Sequence, residues 1–257
     1  MHRFFARTEA CAAAEFALDG REAHHALHVL RIRPGERVAV LDGAGQQLSC
    51  EVLRCGPREV RLRVVERRRA SPPACHITLL QAVPKGKIIE SIIQKATELG
   101  VRRIVPVLSE RTTLQLDADE AAHKAGKWGQ VAIEAVKQCG SPWLPAVEKP
   151  VSPAQFLAGG ETFELPLVAS LQPGSRHARQ YFQSFRSRHD RMPRSACVWI
   201  GPEGDLTAAE VQAICDSGAL PISLGPLVLR CETAAAYCLS ILNYELQSDQ
   251  SAAAPPA

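Results

Sequence analysis

Long apolar runs are missing from this chain of 257 residues. None approaches the roughly 18 residues that a membrane helix needs, so the sequence predicts no bilayer-spanning segment. The N-terminus, "MHRFFARTEACAAAEF", has no long apolar core and carries Glu9 and Glu15; it reads as mature protein and not as a signal peptide. Cys-x-x-Cys pairs are missing too. The 9 cysteines are scattered over the whole length, and Cys50 and Cys55 lack zinc-ligand companions. That pattern predicts reduced thiols in the cytoplasm, with neither metal nor disulfide. Lysine is absent from residues 1–73, where 13 arginines face 9 acids, a balance of +4. Residues 74–257 hold 17 basic and 18 acidic residues, a balance of −1. An all-arginine basic set suits forked contacts to phosphate, and it is also what a GC-rich genome would write.

What is present falls into two rhythms. Residues 3–69 read as mostly β, with alternating runs at 37–41, 47–54 and 59–66 and turns at Asp42-Gly43 and Gly56-Pro57. This predicts a meander or small barrel, preceded by a short helix in "GREAHHALHVLR". "RRRASPP", 67–73, reads as a linker in which no ladder continues. Beyond it, strands at 76–83, 102–109, 165–171, 196–200 and 220–224 alternate with helices, which predicts an α/β domain with a mainly parallel sheet. Asp117-x-x-Glu120 and Thr207-x-x-Glu210 resemble capping boxes. The expected division is 1–73, a β domain; 74–247, an α/β domain; and 248–257, a disordered tail with nothing to bury.

In open parallel sheets, ligands sit beyond the carboxyl ends of the strands. Ile200-Gly201-Pro202 and Leu224-Gly225-Pro226 lie 24 residues apart, one strand–helix–strand unit, which predicts two strand ends side by side. "ASLQPGS", 169–175, is a third such end. Three glycine-containing loops at one sheet edge favour a cofactor pocket lined by backbone groups, although any one of them is simply a tight turn. The phosphate-cradling patterns G-x-x-x-x-G-K-[ST] and G-x-G-x-x-G are missing, as is a G-x-S-x-G nucleophile elbow. Glu203 has no second acid nearby to make a glycosidase-like pair.

"IGPEGDLTAAE", "LGPLVLRCETAA", "QAVPKGKIIESIIQKATELGVRRIVPVLSERT" and "HHALHVLRIRPGERVAVLDGAG", four separated blocks in the family's order along the chain, resemble the 16S rRNA (uracil-1498-N3)-methyltransferase family of the SPOUT class. The resemblance spans about residues 1–246. It implies a C-terminal α/β domain closed by a trefoil knot and an N-terminal PUA-like β-barrel that binds RNA. It also implies a homodimer acting on 16S rRNA of the small ribosomal subunit, with no metal. By resemblance, S-adenosylmethionine would be lined by Leu171, Ile200, Gly201, Glu203, Gly204, Leu224, Gly225 and Leu229. Asp205, Leu206, Leu227, Lys137 and Ser141 depart from the family pattern.

Methylating N3 of uracil needs alignment of the nitrogen with the methyl and help with the N3 proton. Arg230 is the candidate for stabilising the uracil anion, with a phosphate anchor or dimer ion pair as the plainer role. Glu203 is a candidate base or a lock for its own loop. Arg3, Arg7, Arg31 and Arg33 are the expected RNA contacts, with Phe4 and Phe5 as stacking platforms or strand core. His24, His25 and His28 share helical spacing but lack ligand partners, which favours surface or packing roles; Glu98 reads as a helix or interface residue. A non-catalytic RNA-binding or assembly factor, another nucleotide-cofactor enzyme, and a SPOUT enzyme for another RNA or for ribose 2′-O are the alternatives.

Overall fold

A computed structural model describes residues 1–114 and 116–247. The expected tail, 248–257, lies outside the described residues. Among the described residues two compact units emerge: Met1–Pro72 with Ile133–Leu144, and Pro73–Ala132 with 145–247.

In the first unit the elements run β1 (His2–Phe5), α1 (Thr8–Cys11), β2 (Glu15–Leu18), α2 (Gly20–His24), a π-helical turn (His25–Leu30), β3 (Arg37–Leu41), β4 (Gln46–Cys55) and β5 (Val60–Arg69). The sheet order is β1-β3-β4-β5-β2. β3, β4 and β5 form the expected antiparallel meander, and β1 joins β3 in parallel. Register shifts between Ser49 and Cys50 and between Val52 and Arg54 mark irregularities in the β4–β5 ladder, the kind that bend a strand and curl its sheet. Phe4, Val38, Val40, Leu48, Val60 and Leu62 fill the core.

The linker expectation fails at its first three residues. Arg67, Arg68 and Arg69 pair with Leu48, Gln47 and Gln46, so the ladder continues through the charge run. Charge alone does not end a strand whose side chains reach water or find carbonyls. Arg67 does the latter, donating to the carbonyls of Cys11, Ala12 and Ala13. The ladder stops only after Ala70, whose N–H donates to Gly45 O at 2.9 Å.

The second unit follows the predicted alternation. It holds β6 (His76–Ala82), α3 (Ile88–Glu98), β7 (Arg103–Val107), α4 (Ala118–Cys139), β8 (Ala146–Val147), α5 (Pro153–Ala158), β9 (Leu165–Ala169), β10 (Arg176–His177), α6 (Ala178–His189), β11 (Ser195–Ile200), α7 (Ala208–Asp216), β12 (Leu220–Ser223) and α8 (Cys231–Gln247). The last turns of α4 and the segment after it, Ile133–Leu144, belong with the first unit. Both capping boxes form. Asp117 Oδ1 accepts from Glu120 N at 2.8 Å while Glu120 Oε2 accepts from Asp117 N, and Thr207 with Glu210 does the same. Ile89, Ile92, Ile93 and Ala96 give α3 one buried face, and each isoleucine contributes about 1.5–3 kcal/mol by leaving water.

Every pairing in this sheet is parallel, in the order β10-β12-β9-β11-β6-β7-β8. The expectation that the two Gly-Pro strand ends are neighbours is corrected here: β9 lies between β11 and β12. Strand order follows the crossover path, which repeated local chemistry does not encode. The third loop, after β9, therefore occupies the middle of the edge.

Candidate functional site

Because the strands run parallel, β9, β11 and β12 deliver their following loops to one edge of the sheet. The three loops enclose a cavity of about 740 Å³, and Ile88 and Ala234 contribute from the starts of α3 and α8. Leu171, Ile200, Gly201, Glu203, Leu224, Gly225 and Leu229 all line it, together with Arg230. Gly204 does not. It turns toward Arg111, whose guanidinium donates to Gly204 O, and a Cβ on Gly204 would meet Arg111 Cδ at 3.4 Å.

The loop after β9 is pinned by Ser170, which is buried. Its N–H donates to Ile222 O at 3.1 Å, and its Oγ accepts from Gln172 N at 3.1 Å. The loop after β11 is pinned from several sides. Asp205 takes a left-handed φ of 61°, which aspartate tolerates better than most residues. Its N–H donates to Pro202 O at 2.9 Å, and its Oδ1 accepts from Leu206 N at 2.8 Å. Leu206 is buried in the core beside Trp199 and Ile214. Gly201 is required by space: a Cβ there would lie 2.8 Å from Asp205 Oδ1 and 2.9 Å from Leu206 N.

Glu203 locks a loop, but not its own. Its Oε1 accepts the backbone N–H of Lys85 at 3.0 Å, tying the β11 loop to the segment between β6 and α3. Glu210 Oε1 likewise accepts from Glu110 N at 2.8 Å. Glu98 pairs with Lys95 on its own helix at 3.1 Å, as a helix residue would.

The loop after β12 has fewer ties. Gly225 has φ 109°, a conformation that L side chains rarely adopt. Its N–H reaches Ser223 Oγ at 3.3 Å. Leu227 and Val228 are 73% and 77% exposed, and Arg230 is exposed as well. Cys231, on the cavity wall, has its thiol pushed up to about 12 by burial and by the neighbouring Glu232 carboxylate. It is a neutral wall atom and not a nucleophile. Ile88, Cys231 and Ala234 escaped sequence reasoning, because helix positions carry no signal for a cavity that the fold brings to them.

The N-terminal candidates divide. Arg3 donates to Gln138 O at 3.0 Å and lies against Gly140, so its guanidinium is engaged with backbone carbonyls of its own unit. Arg7, Arg31 and Arg33 are all exposed. Phe4 is core, with an edge-on ring contact to His25 at 6.2 Å, and Phe5 is half-buried. The His24 and His28 rings lie 4.7 Å apart. Among the described residues no three His, Cys, Asp or Glu side chains gather as metal ligands. Two of the unusual residues have structural partners: buried Lys137 bonds Glu22 at 2.8 Å and Glu134 at 3.0 Å, and Ser141 Oγ accepts from Trp143 N at 3.2 Å.

Comparison with known proteins agrees with this anatomy. Residues 71–243 match the family model described as "RNA methyltransferase domain", and residues 18–65 match "RNA methyltransferase PUA domain". The chain is 31% identical over 246 residues to ribosomal RNA small subunit methyltransferase E of Bacillus subtilis, covering 93% of this chain and 94% of the relative. A Legionella pneumophila methyltransferase solved with bound cofactor SAM superimposes with a TM-score of 0.85 at 30% identity, covering 94% of this chain and 96% of that one. The Neisseria gonorrhoeae ribosomal RNA small subunit methyltransferase E, bound to S-adenosyl methionine, gives 0.83 at 25%, covering 97% and 100%. The chain belongs to the RNA methyltransferase domain family, with a PUA domain preceding its α/β domain.

Proposed function

We propose that this protein transfers the methyl group of S-adenosylmethionine to N3 of a uridine in 16S rRNA of the small ribosomal subunit, at position 1498 by the family's name. The observation that carries the reading is the convergence of three strand-end loops on one cavity, with seven of the eight expected cofactor-lining residues and Arg230 on its wall. The residues fit the cofactor chemically. Apolar Ile200, Leu224 and Leu229 suit an adenine, exposed backbone groups of the glycine loops suit its polar edges, and the carboxylates of Glu203, Asp205 and Glu232 on the same wall suit a cation.

When bound, the sulfonium supplies a methyl to an in-line displacement and departs neutral. The chain's own task is therefore alignment, plus stabilising the uracil anion once its N3 proton has passed to solvent. Arg230 stabilises the charge that develops on the uracil ring. Glu203 acts chiefly as the acceptor that holds the Lys85 segment, a role that leaves its carboxylate less suited to act as the base. The target base must leave any duplex to reach the cavity. In this reading residues 1–73 form the RNA-binding domain, with Arg7, Arg31 and Arg33 on phosphates, and residues 74–247 form the catalytic domain. A homodimer is supported by the exposed apolar side chains of Leu171, Leu227, Val228 and Tyr244. A C-terminal knot is supported by the chain path: β12 returns beside β9, and α8 then packs on α3, β6 and β11. Cytoplasmic residence goes with the proposed rRNA substrate.

Calorimetric titration with S-adenosylmethionine, with NAD and ATP as controls, tests the cofactor. Methylation of small subunits, followed by digestion and mass identification of the modified nucleoside, tests the acceptor. N3-methyluridine is expected; a 2′-O-methylated nucleoside would replace the acceptor and keep the cofactor. Arg230→Ala should slow methyl transfer by about 10²–10³-fold with cofactor affinity little changed.

A further inference from the structure

Summing charge over the second half of the chain hides a strongly basic element. Residues 176–194 hold six arginines (Arg176, Arg179, Arg186, Arg188, Arg191 and Arg194) and one acid, Asp190, a balance of +5 (6 − 1) with histidines neutral. Since residues 74–257 sum to −1, the rest of that stretch carries −6. The positive charge is thus concentrated on α6 and its flanks.

Packing explains the helix but not its arginines. Ala178 and Phe182 are buried, Tyr181 donates its hydroxyl to Pro221 O at 3.2 Å, and His177 Nδ1 caps the Arg179 N–H at 3.2 Å. Arg191 has a structural role, bonding Glu164 at 2.7 and 2.8 Å with its guanidinium 5.6 Å from the centre of the Phe185 ring. Arg176, Arg179, Arg186 and Arg188 are exposed and form no ion pair among the described residues, whereas exposed Arg194 lies near the Glu164 carboxylate, which accepts its backbone N–H at 2.7 Å. Arg186 and Arg188 complement the helix dipole at the C-terminal end. Arg176 and Arg179 stand at the N-terminal end, where each positive charge opposes the dipole by about 0.3–1 kcal/mol. Helix stability therefore does not account for them, and a polyanion does.

Position agrees with charge. Ser175 lines the cavity, and Arg176 follows it, pairing as an edge strand with Ile222 while its neighbour His177 pairs with cavity-lining Ser223. From there α6 runs about 18 Å, at roughly 1.5 Å per residue. We propose that α6 and its flanks are a second RNA-binding surface. It holds the phosphate backbone of the strand whose target base enters the adjacent cavity. This rests on the methyltransferase reading of that cavity and adds a grip on RNA that the N-terminal unit does not provide. Forked guanidiniums on a solvent-facing helix suit phosphate oxygens.

Arg186→Gln/Arg188→Gln, the pair farthest along the helix from the cavity, should weaken binding of a 16S rRNA fragment. The slope of log affinity against log salt should fall by about 0.7 for each single-strand phosphate that is no longer neutralised, about 1.4 for the pair. Arg186→Lys/Arg188→Lys should recover most of that slope. Calorimetric affinity for S-adenosylmethionine should match wild type in both variants. A Gln variant with an unchanged slope and normal cofactor binding overturns the α6 surface and leaves the cofactor reading intact. RNA binding through α6 without cofactor uptake does the reverse. Hydrogen exchange on the unaltered protein gives an independent test: added RNA should protect amides in 178–190, and protection confined to residues 1–72 overturns the proposal.

Discussion

The two Gly-Pro loops begin with the same apolar-Gly-Pro step and are built on opposite principles. Residues 201–206 are held from within by Asp205 and from outside by Arg111 and the Lys85 segment, and Leu206 anchors them in the core. Residues 225–230 are tied by a modest bond at Gly225 and, at the far end, by the Arg230 carbonyl accepting from Ala234 N, and they expose Leu227, Val228 and Arg230. Their glycines differ in kind as well. Gly201 is fixed by crowding, Gly225 by its φ of 109° in open space. A loop determined by its own protein makes a wall. A loop left bare suits contacts that come from elsewhere, whether RNA or a second copy.

The comparison breaks first at its glycines. Gly201→Ala pushes a methyl into backbone that cannot retreat without moving Leu206. It should cost about 1–3 kcal/mol and lower the melting temperature by about 2–4 °C per kcal/mol for a chain of this size. Cofactor affinity should fall with it. Gly225→Ala meets nothing within 4 Å and suffers only backbone strain, which an unpacked loop relieves by shifting. Its effect on melting should therefore be the smaller of the two, read by calorimetry on both variants. If Gly225→Ala is the more damaging, the loop after β12 is as tightly determined as the other, and the contrast is wrong.

Glu203→Gln sharpens the same contrast at lower amplitude. The amide keeps a carbonyl for the Lys85 N–H and loses the charge. If Glu203 is a lock, methylation should stay within a few-fold of wild type. If it is the base, the rate should fall about 10²–10⁴-fold. Glu203→Ala removes the acceptor altogether and should cost about 1 kcal/mol, seen as lower melting and weaker cofactor binding.

Most of this architecture is legible in the residues, because periodicity and caps are local. The meander, the α/β alternation and both capping boxes follow from spacing within a dozen residues. What escapes is whatever depends on the path of the chain or on what lies opposite. Arg67–Arg69 read as a linker from their charge, yet the carbonyls of residues 11–13 await Arg67 in the fold. β9 separates β11 from β12 because of crossover order, not strand chemistry. At the site, the loops were readable from their glycines, while the outward turn of Gly204 depends on Arg111, 93 residues away. The basic character of α6 was lost for the opposite reason: a sum over too long a stretch cancelled it.

The smallest expected effect on folding is at Leu227. At 73% exposure it has little to lose, so Leu227→Ser should leave melting within about 0.5 kcal/mol of wild type. Cofactor binding should also persist, since most of the polar ties described for the pocket lie in the other two loops. Association is where the substitution should register. A leucine that becomes fully covered contributes about 1.5–3 kcal/mol, and a two-fold interface counts it twice. If Leu227 faces a second copy, analytical ultracentrifugation should show the dimer weakened by at least a factor of about ten while the monomer still melts normally. An unchanged dimer would move the interface elsewhere and leave the bare loop to RNA alone. The contrast between the two loops would survive that result, with a different partner for the exposed one.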